Sequence, residues 1–216
     1  MRINLLKSLP KVERDVKARL IAKTPEIIAE ASKFGKMYFD GPREYGYGGY
    51  EYDGRWVPVA KDIVSYYQLK PGMKVLDIGC AKGFLVKDLS NALPGLDVLG
   101  IDISEYAIKN CDDSVVDKVR LGDVRKLPFS GSTFDLVLSI NVLHNFDRQD
   151  LIKALKEIVR VGRSKAFIQV DAYESSEQKS NFEDWVLTAK FYGYPEDWYE
   201  IFKEAGYTGD YDWTIV

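Results

Sequence analysis

The segment VLDIGCAKGF, residues 75–84, runs from an apolar stretch through two glycines, Gly79 and Gly83, into the start of FLVKDLSNAL. A short apolar run closed by a glycine turn reads as a buried strand, and the following stretch has its apolar residues at helical spacing. Glycine admits a positive φ and allows close approach of a ligand to the backbone. In an open α/β sheet, ligands bind beyond the carboxyl ends of the strands, so this turn marks a candidate binding site. One strand later Asp102 closes LDVLGID, 19 positions after Gly83. A carboxylate at that place is suited to accept hydrogen bonds from ribose hydroxyls.

The same alternation extends in both directions. VPVAKDIVSYYQL (57–69) reads as a helix before the first strand. After LDVLGID come a helix at SEYAIKNC (104–111), a weak strand at DKVRLGD (117–123) and a strong strand at STFDLVLSI (132–140). The helix RQDLIKALKEIVRV (148–161) and the strand SKAFIQVDAY (164–173) follow. Strands alternating with helices of this length predict βαβ units, hence an α/β fold with a parallel sheet covered on both faces. NFEDWVLTAKFYG (181–193) and PEDWYEIFKEAG (195–206) read as further helices, and YDWTIV (211–216) as a terminal strand.

The first third differs. KVERDVKARLIA (11–22) and TPEIIAEASKFG (24–35) read as helices, the second capped by Thr24 with Pro25 in its first turn. Residues 39–56, FDGPREYGYGGYEYDGRW, are too dense in glycine for a regular helix and read as a long loop. Loops of this length in compact proteins are usually lids or disordered segments, and the tyrosines argue against plain disorder. Residues 1–23 carry seven basic side chains, among them Arg14 and Arg19, against Glu13 and Asp15. These read as solvated helical faces; a head-to-tail contact or an anionic ligand is the alternative.

With 216 residues, 46% of them hydrophobic, the chain is long enough for one well-packed core. A net charge of −3 argues against a nucleic-acid-binding surface. Two unpatterned cysteines, Cys80 and Cys111, offer neither a zinc site nor a disulfide framework, so no metal is expected. There is no apolar run of ~18 residues for a membrane span, and no signal-peptide core at the N-terminus, so a cytoplasmic location is expected.

A dinucleotide fingerprint requires G-x-G-x-x-G, whereas Gly79 and Gly83 are spaced G-x-x-x-G, which disfavours a nicotinamide-dependent oxidoreductase. VLDIGCAKGF, GIDIS (100–104), GDVRKLPFSGSTFDLVLS (122–139) and NVLH (141–144) resemble, in order and spacing, the conserved blocks of class I S-adenosylmethionine-dependent methyltransferases. The resemblance covers roughly residues 56–171. It implies a Rossmann-like sheet flanked by helices over residues 56–216, with residues 1–55 as a helical and aromatic-loop cover. It also implies S-adenosylmethionine as cofactor. Asp77, Gly79, Cys80, Ala81 and Gly83 would form the cofactor turn, with Ala81 where the family usually has a middle glycine. Gly79 and Cys80 would lie against the methionine part, Asp102 would hold the ribose and Ile103 would pack on the adenine. Asp123 and the Val124 backbone would meet the adenine edge, and Asn141 would sit near the methionyl amine and the sulfonium. Family members usually finish with two strands, the last antiparallel, whereas here only YDWTIV has clear strand character.

The stretch VLSINVLHNFD (137–147) holds the single histidine, His144, three residues beyond Asn141. Methyl transfer to a hydroxyl requires a proton to leave as the bond forms, and a neutral imidazole is a suitable base. His144 is therefore the candidate general base; capping the next helix or shaping the pocket wall is its structural alternative. Asn145 and Asp147 read as a turn and a helix cap. Tyr45, Tyr47 and Tyr50 with Arg43 form the candidate substrate lid, because tyrosine faces stack on rings and arginines, Arg43 and Arg55 here, grip phosphate or carboxylate. YGYGGYEYDGRW (45–56) resembles a stretch in methyltransferases encoded with bacterial surface-polysaccharide genes. The expected acceptor is a small polar molecule, foremost a hydroxyl of a sugar or nucleotide-linked sugar. A nucleic acid or protein substrate, and a non-catalytic cofactor-binding partner protein, are the competing readings. A homodimer is compatible with the sequence.

Overall fold

The computed structural model describes residues 1–10 and 14–215. Nine α-helices and six strands are formed among them: α1 (Val16–Ala22), α2 (Pro25–Ala31), α3 (Lys36–Asp40), α4 (Trp56–Tyr66), β1 (Lys74–Ile78), α5 (Phe84–Ala92), β2 (Asp97–Asp102), α6 (Glu105–Lys109), β3 (Val119–Leu121), β4 (Phe134–Ile140), α7 (Arg148–Val161), β5 (Gly162–Asp171), α8 (Ser176–Trp185), α9 (Pro195–Ala205) and β6 (Asp210–Thr214). The sheet order is β3-β2-β1-β4-β5-β6 and every pairing is parallel. The chain runs outward from β1 in one direction, then returns to start β4 on the other side of β1. That reversal opens a crevice at the carboxyl ends of β1 and β4.

Alternate strand residues feed two cores. Leu76, Ile78, Val137, Ile168 and Val170 pack with α7 and α9, while Val75, Leu136, Leu138 and Phe167 pack with α4 and α5. Helix α7 shows why these segments form where they do. Its buried residues Leu151, Ile152, Ala154, Leu155, Ile158 and Val161 recur at helical spacing, and the Asp150 N–H donates to the Asp147 side chain as an N-cap. Burying each large aliphatic side chain stabilises by roughly 1.5–3 kcal/mol, so this stripe anchors α7 to the sheet.

Two expectations change. The N-terminal helix begins at Val16, and Lys11, Val12 and Glu13, where its start was expected, lie outside the described residues. The expected helix over 181–193 is displaced: α8 starts at Ser176 behind the Ser175 cap and ends at Trp185. The rest of that segment is drawn away by tertiary bonds, since the N–H groups of Lys190 and Phe191 donate to the His144 carbonyl. As the single strand-like stretch YDWTIV indicates, the chain ends on one strand: β6 pairs directly and in parallel with β5, and no antiparallel strand occurs in the sheet among the described residues. The chain's own N-terminus covers the outer edge instead, with Ile3 N–H donating to the Tyr211 carbonyl and Tyr211 N–H to Met1. Leu5 and Leu6 are buried in the α4–α5 core, so this first segment shares its packing with the sheet.

Candidate active site

The turn between β1 and α5 is built around a few backbone constraints. Gly79 has φ +75°, and a Cβ there would lie 2.1 Å from Val142 Cγ2, so only glycine fits. Ala81, in place of the family's glycine, is itself held at φ +50°. Its N–H donates to Asp102 Oδ2 (2.8 Å), and the Ser104 N–H donates to Oδ1 (2.8 Å). Burial raises the Asp102 carboxyl above its ordinary value, opposed by these backbone donors. Asp77, one residue before the end of β1, is pushed up to about 7, first by burial and then by the nearby Asp102 charge. Cys80 is buried with its thiol turned to the core, where a Cβ on Gly100 would meet Sγ at 2.7 Å. Burial raises that thiol as well, which makes it a packing residue and not a nucleophile.

A cavity of about 340 Å³ lies at this end of the sheet. Of the residues expected from sequence to touch cofactor, Gly79, Ala81, Asp102, Ile103, Asp123, Val124 and Asn141 line it. Asp77, Cys80 and Gly83 do not: they lie behind the turn, and a Cβ at Gly83 would meet Val115 Cγ2 at 2.7 Å. Ile103 is 49% exposed, an apolar side chain at the mouth. Asp123 is held below its ordinary value by Arg125, whose guanidinium grips both of its oxygens and also pairs with Asp150. Asn141 sits at φ +57°, a left-handed conformation that asparagine adopts more readily than other non-glycine residues, with Oδ1 accepting from the Thr214 hydroxyl (2.7 Å).

The cover is fastened to the turn by a contact that sequence reasoning missed. Lys82 is buried and its Nζ lies 2.8 Å from both oxygens of Asp40 at the end of α3. The same carboxylate accepts from the Tyr106 hydroxyl and the Tyr50 N–H. Around it Phe39 and Ala81 pack with Ala107, flanked by Phe34, Tyr38, Tyr50 and Tyr106. Tyr47 stacks on Phe39 at 5.8 Å and lines the cavity, whereas Tyr50 is turned onto Phe84 and lines none. Tyr45 also lies outside the cavities, in the short turn Arg43–Tyr45. Arg55 is engaged by Asp53 at the surface and is likewise no part of the site.

A second cavity, about 250 Å³, shares Tyr38, Tyr47 and Asn141 with the first. His144 lines it, largely buried, with Nδ1 3.1 Å from Asp171 Oδ2 and accepting from the Asp171 backbone N–H at 3.2 Å. The neutral ring carries its proton either on Nδ1, shared with the carboxylate, or on Nε2, with Nδ1 accepting from the Asp171 N–H; only the first leaves Nε2 free as a base. Asp171, the last residue of β5, is raised above its ordinary value by burial, an effect opposed by the charges of His144 and Arg14. Sequence reasoning did not single out Asp171; its place at the end of a parallel strand was the available signal. Arg14, Arg19 and Arg43 line the same cavity, so the first two are not the solvated face expected of them. No group of three or more residues placed to hold a metal ion occurs among the described residues.

A family profile described as a methyltransferase domain matches residues 76–170, the span from β1 to β5 that carries these strand ends. Residues 76–170 are thus similar to a methyltransferase domain. Domains of this family use S-adenosylmethionine. A methyltransferase structure from Archaeoglobus fulgidus, described as S-adenosylmethionine-dependent, shares the fold (TM-score 0.53, 24% identity, 69% of this chain and 68% of that one). The domain is 34% identical over 118 residues to the mitochondrial arginine-hydroxylase NDUFAF5 of Rattus norvegicus, covering 54% of this chain. It is 32% identical over 145 residues to the ribosomal protein L11 methyltransferase of Aquifex aeolicus, covering 64% of this chain. The chain spans 32% of the length of the first relative and 55% of the second. No described helix of the chain is long and apolar enough to cross a membrane.

Proposed function

We propose that this protein is an S-adenosylmethionine-dependent methyltransferase that methylates a hydroxyl of a small polar acceptor, a sugar or nucleotide-linked sugar in the first instance. The observation that carries the reading is the His144–Asp171 pair at the carboxyl ends of β4 and β5, in a cavity that adjoins the glycine-turn cavity through Asn141. The residues of the first cavity suit the cofactor. Its volume lies within the range of small-ligand sites, about 300–1,000 Å³. The Asp102 carboxylate stands beside exposed Ile103, and Gly79 leaves no Cβ at the turn, so hydroxyls, a flat ring and a close backbone approach are all accommodated.

When bound, S-adenosylmethionine supplies an electrophilic methyl group. Asp102 holds ribose hydroxyls with the lone pairs its backbone donors leave open. In the tautomer protonated on Nδ1, His144 Nε2 takes the acceptor's hydroxyl proton while the Asp171 carboxylate accepts from Nδ1 and orients the ring. Tyr38, Phe39 and Tyr47 roof the cavity and exclude water from the reacting groups. Residues 14–55 thus form a cover concerned with the acceptor, while residues 1–10, packed on β6 and the α4–α5 core, belong with the body that begins at residue 56.

The test is methyl transfer from labelled S-adenosylmethionine to sugars, nucleotide sugars, phenols, amines and RNA. Product with a sugar hydroxyl is expected, falling about 10²–10⁴-fold in His144→Ala while S-adenosylhomocysteine still binds. Asp102→Ala should lose cofactor binding. Full turnover in His144→Ala would remove the histidine from catalysis, and cofactor binding with no transfer to any acceptor would overturn the enzymatic reading. Transfer to RNA, with binding that weakens steeply in salt, would overturn the small acceptor.

A further inference from the structure

The second cavity gathers three guanidinium groups from three parts of the chain. Arg19 comes from α1, Arg14 from the residues just before it, and Arg43 from the cover loop. All three lie over one indole, that of Trp185 at the end of α8, at 5.7, 4.9 and 5.4 Å from its centroid for Arg14, Arg19 and Arg43. A guanidinium has five N–H donors, and here each group donates to a single carbonyl: Arg14 to Ile215, Arg19 to Glu44 and Arg43 to Gly46. Among the described residues none of the three forms an ion pair with a carboxylate, and Asp171 is the single acid lining the cavity. Like charges crowded into a half-buried site repel. Arg14 and Arg19 are both drawn below their ordinary value, by burial first, with the Arg43 charge contributing. An indole face attracts a cation, but one ring shared by three leaves their repulsion and most of their donors unanswered.

We propose that this cavity binds an oxyanion, a carboxylate or phosphate group carried by the methyl acceptor, through Arg14, Arg19 and Arg43. Planar guanidinium forks match both groups, which take paired N–H donors. A small molecule is the fitting occupant, since the space is about 250 Å³ and continues past Asn141 into the glycine-turn cavity. An acceptor gripped at its anionic end has the remainder of its body along His144 and the wall that the two cavities share. The anion site stands on its own geometry; its assignment to the methyl acceptor rests on the function proposed above.

Isothermal titration separates the two. Glucose 1-phosphate, glucuronate and glucose are titrated into the protein with and without saturating S-adenosylhomocysteine, and S-adenosylhomocysteine is titrated alone. Glucose 1-phosphate or glucuronate should bind at least about tenfold more tightly than glucose. Whichever is preferred identifies the anion as phosphate or carboxylate. Arg43→Gln should remove that preference while S-adenosylhomocysteine affinity is preserved, and Arg14→Gln provides the same readout should the first variant fold poorly. Equal binding of charged and neutral sugars, or a preference that survives both substitutions, would overturn the anion site. Arginine-dependent binding of a charged sugar by a protein that fails to bind S-adenosylhomocysteine would retain the anion site and sink the methyltransferase reading instead.

Discussion

Replacing Asp77 with asparagine should make the protein more stable above neutral pH relative to the parent, and the gain should vanish as the solution is acidified. Asp77 is 3% exposed, and burial, followed by the Asp102 charge, moves its carboxyl from an ordinary 3.8 to about 7. Between those two values the folded chain retains a proton that the unfolded chain has released. The unfolded state then binds fewer protons, so stability falls as pH rises through this window and levels off above about 7. At 1.36 kcal/mol per pH unit the whole effect approaches about 4 kcal/mol by pH 8, of which roughly 1.6 kcal/mol is already present at pH 5. The asparagine amide lacks this dependence and carries its own pH-independent desolvation cost of about 1–3 kcal/mol. The measurable quantity is therefore the change in the difference between the two proteins. Urea unfolding at pH 5 and pH 8, at matched ionic strength, should show the variant gaining about 2.5 kcal/mol on the parent across that range. The comparison cancels Asp40, Asp112 and Asp123, whose carboxyls are held below their ordinary values and whose contribution is lost in the opposite direction, as pH falls. A difference that stays constant from pH 5 to pH 8 would refute the argument, because Asp77 would then be ionising as an unburied carboxyl does.

Three further substitutions probe the site. Gly79→Ala combines a left-handed backbone with a Cβ 2.1 Å from Val142, and thermal melts should show a loss of about 2–5 kcal/mol together with loss of S-adenosylhomocysteine binding. Lys82→Met leaves Asp40 with only its Tyr106 and Tyr50 donors; since Asp40 is partly exposed, a destabilisation of about 1–3 kcal/mol is expected, with faster proteolysis within residues 41–55. Asp171→Asn offers an amide N–H to His144 Nδ1 and so favours the tautomer protonated at Nε2. Methyl transfer should fall about 10²–10⁴-fold with cofactor binding intact, and unchanged turnover would detach the pair from catalysis.

The glycine turn and the strand ends were legible because they are local. VLDIGCAKGF carries its strand, turn and helix start within ten contiguous residues, and LDVLGID places Asp102 at a strand end by its own apolar pattern. Parallel strands joined by crossovers have their carboxyl ends on one side, so Gly79, Asp102, Asp123 and Asn141 had to converge there, and all four line the one cavity. Side-chain direction within the turn was not legible. Nothing in the order of residues distinguishes Cys80, turned to the core, from Ala81, which meets the cavity.

What the sequence determined by itself was the set of elements, their alternation and hence the parallel sheet with its crevice, because hydrophobic period, caps and glycine turns are properties of neighbouring residues. The tertiary structure alone decided that Asp171 stands 27 positions from His144 and yet beside it, and that Lys82 reaches Asp40 across 42. It decided that β6 lies parallel against β5, that residues 186–191 leave a helical path to bond the His144 turn, and that three arginines meet over Trp185. Those contacts form only when loops of tens of residues close under the gain from burying the two cores, a gain that no single segment carries.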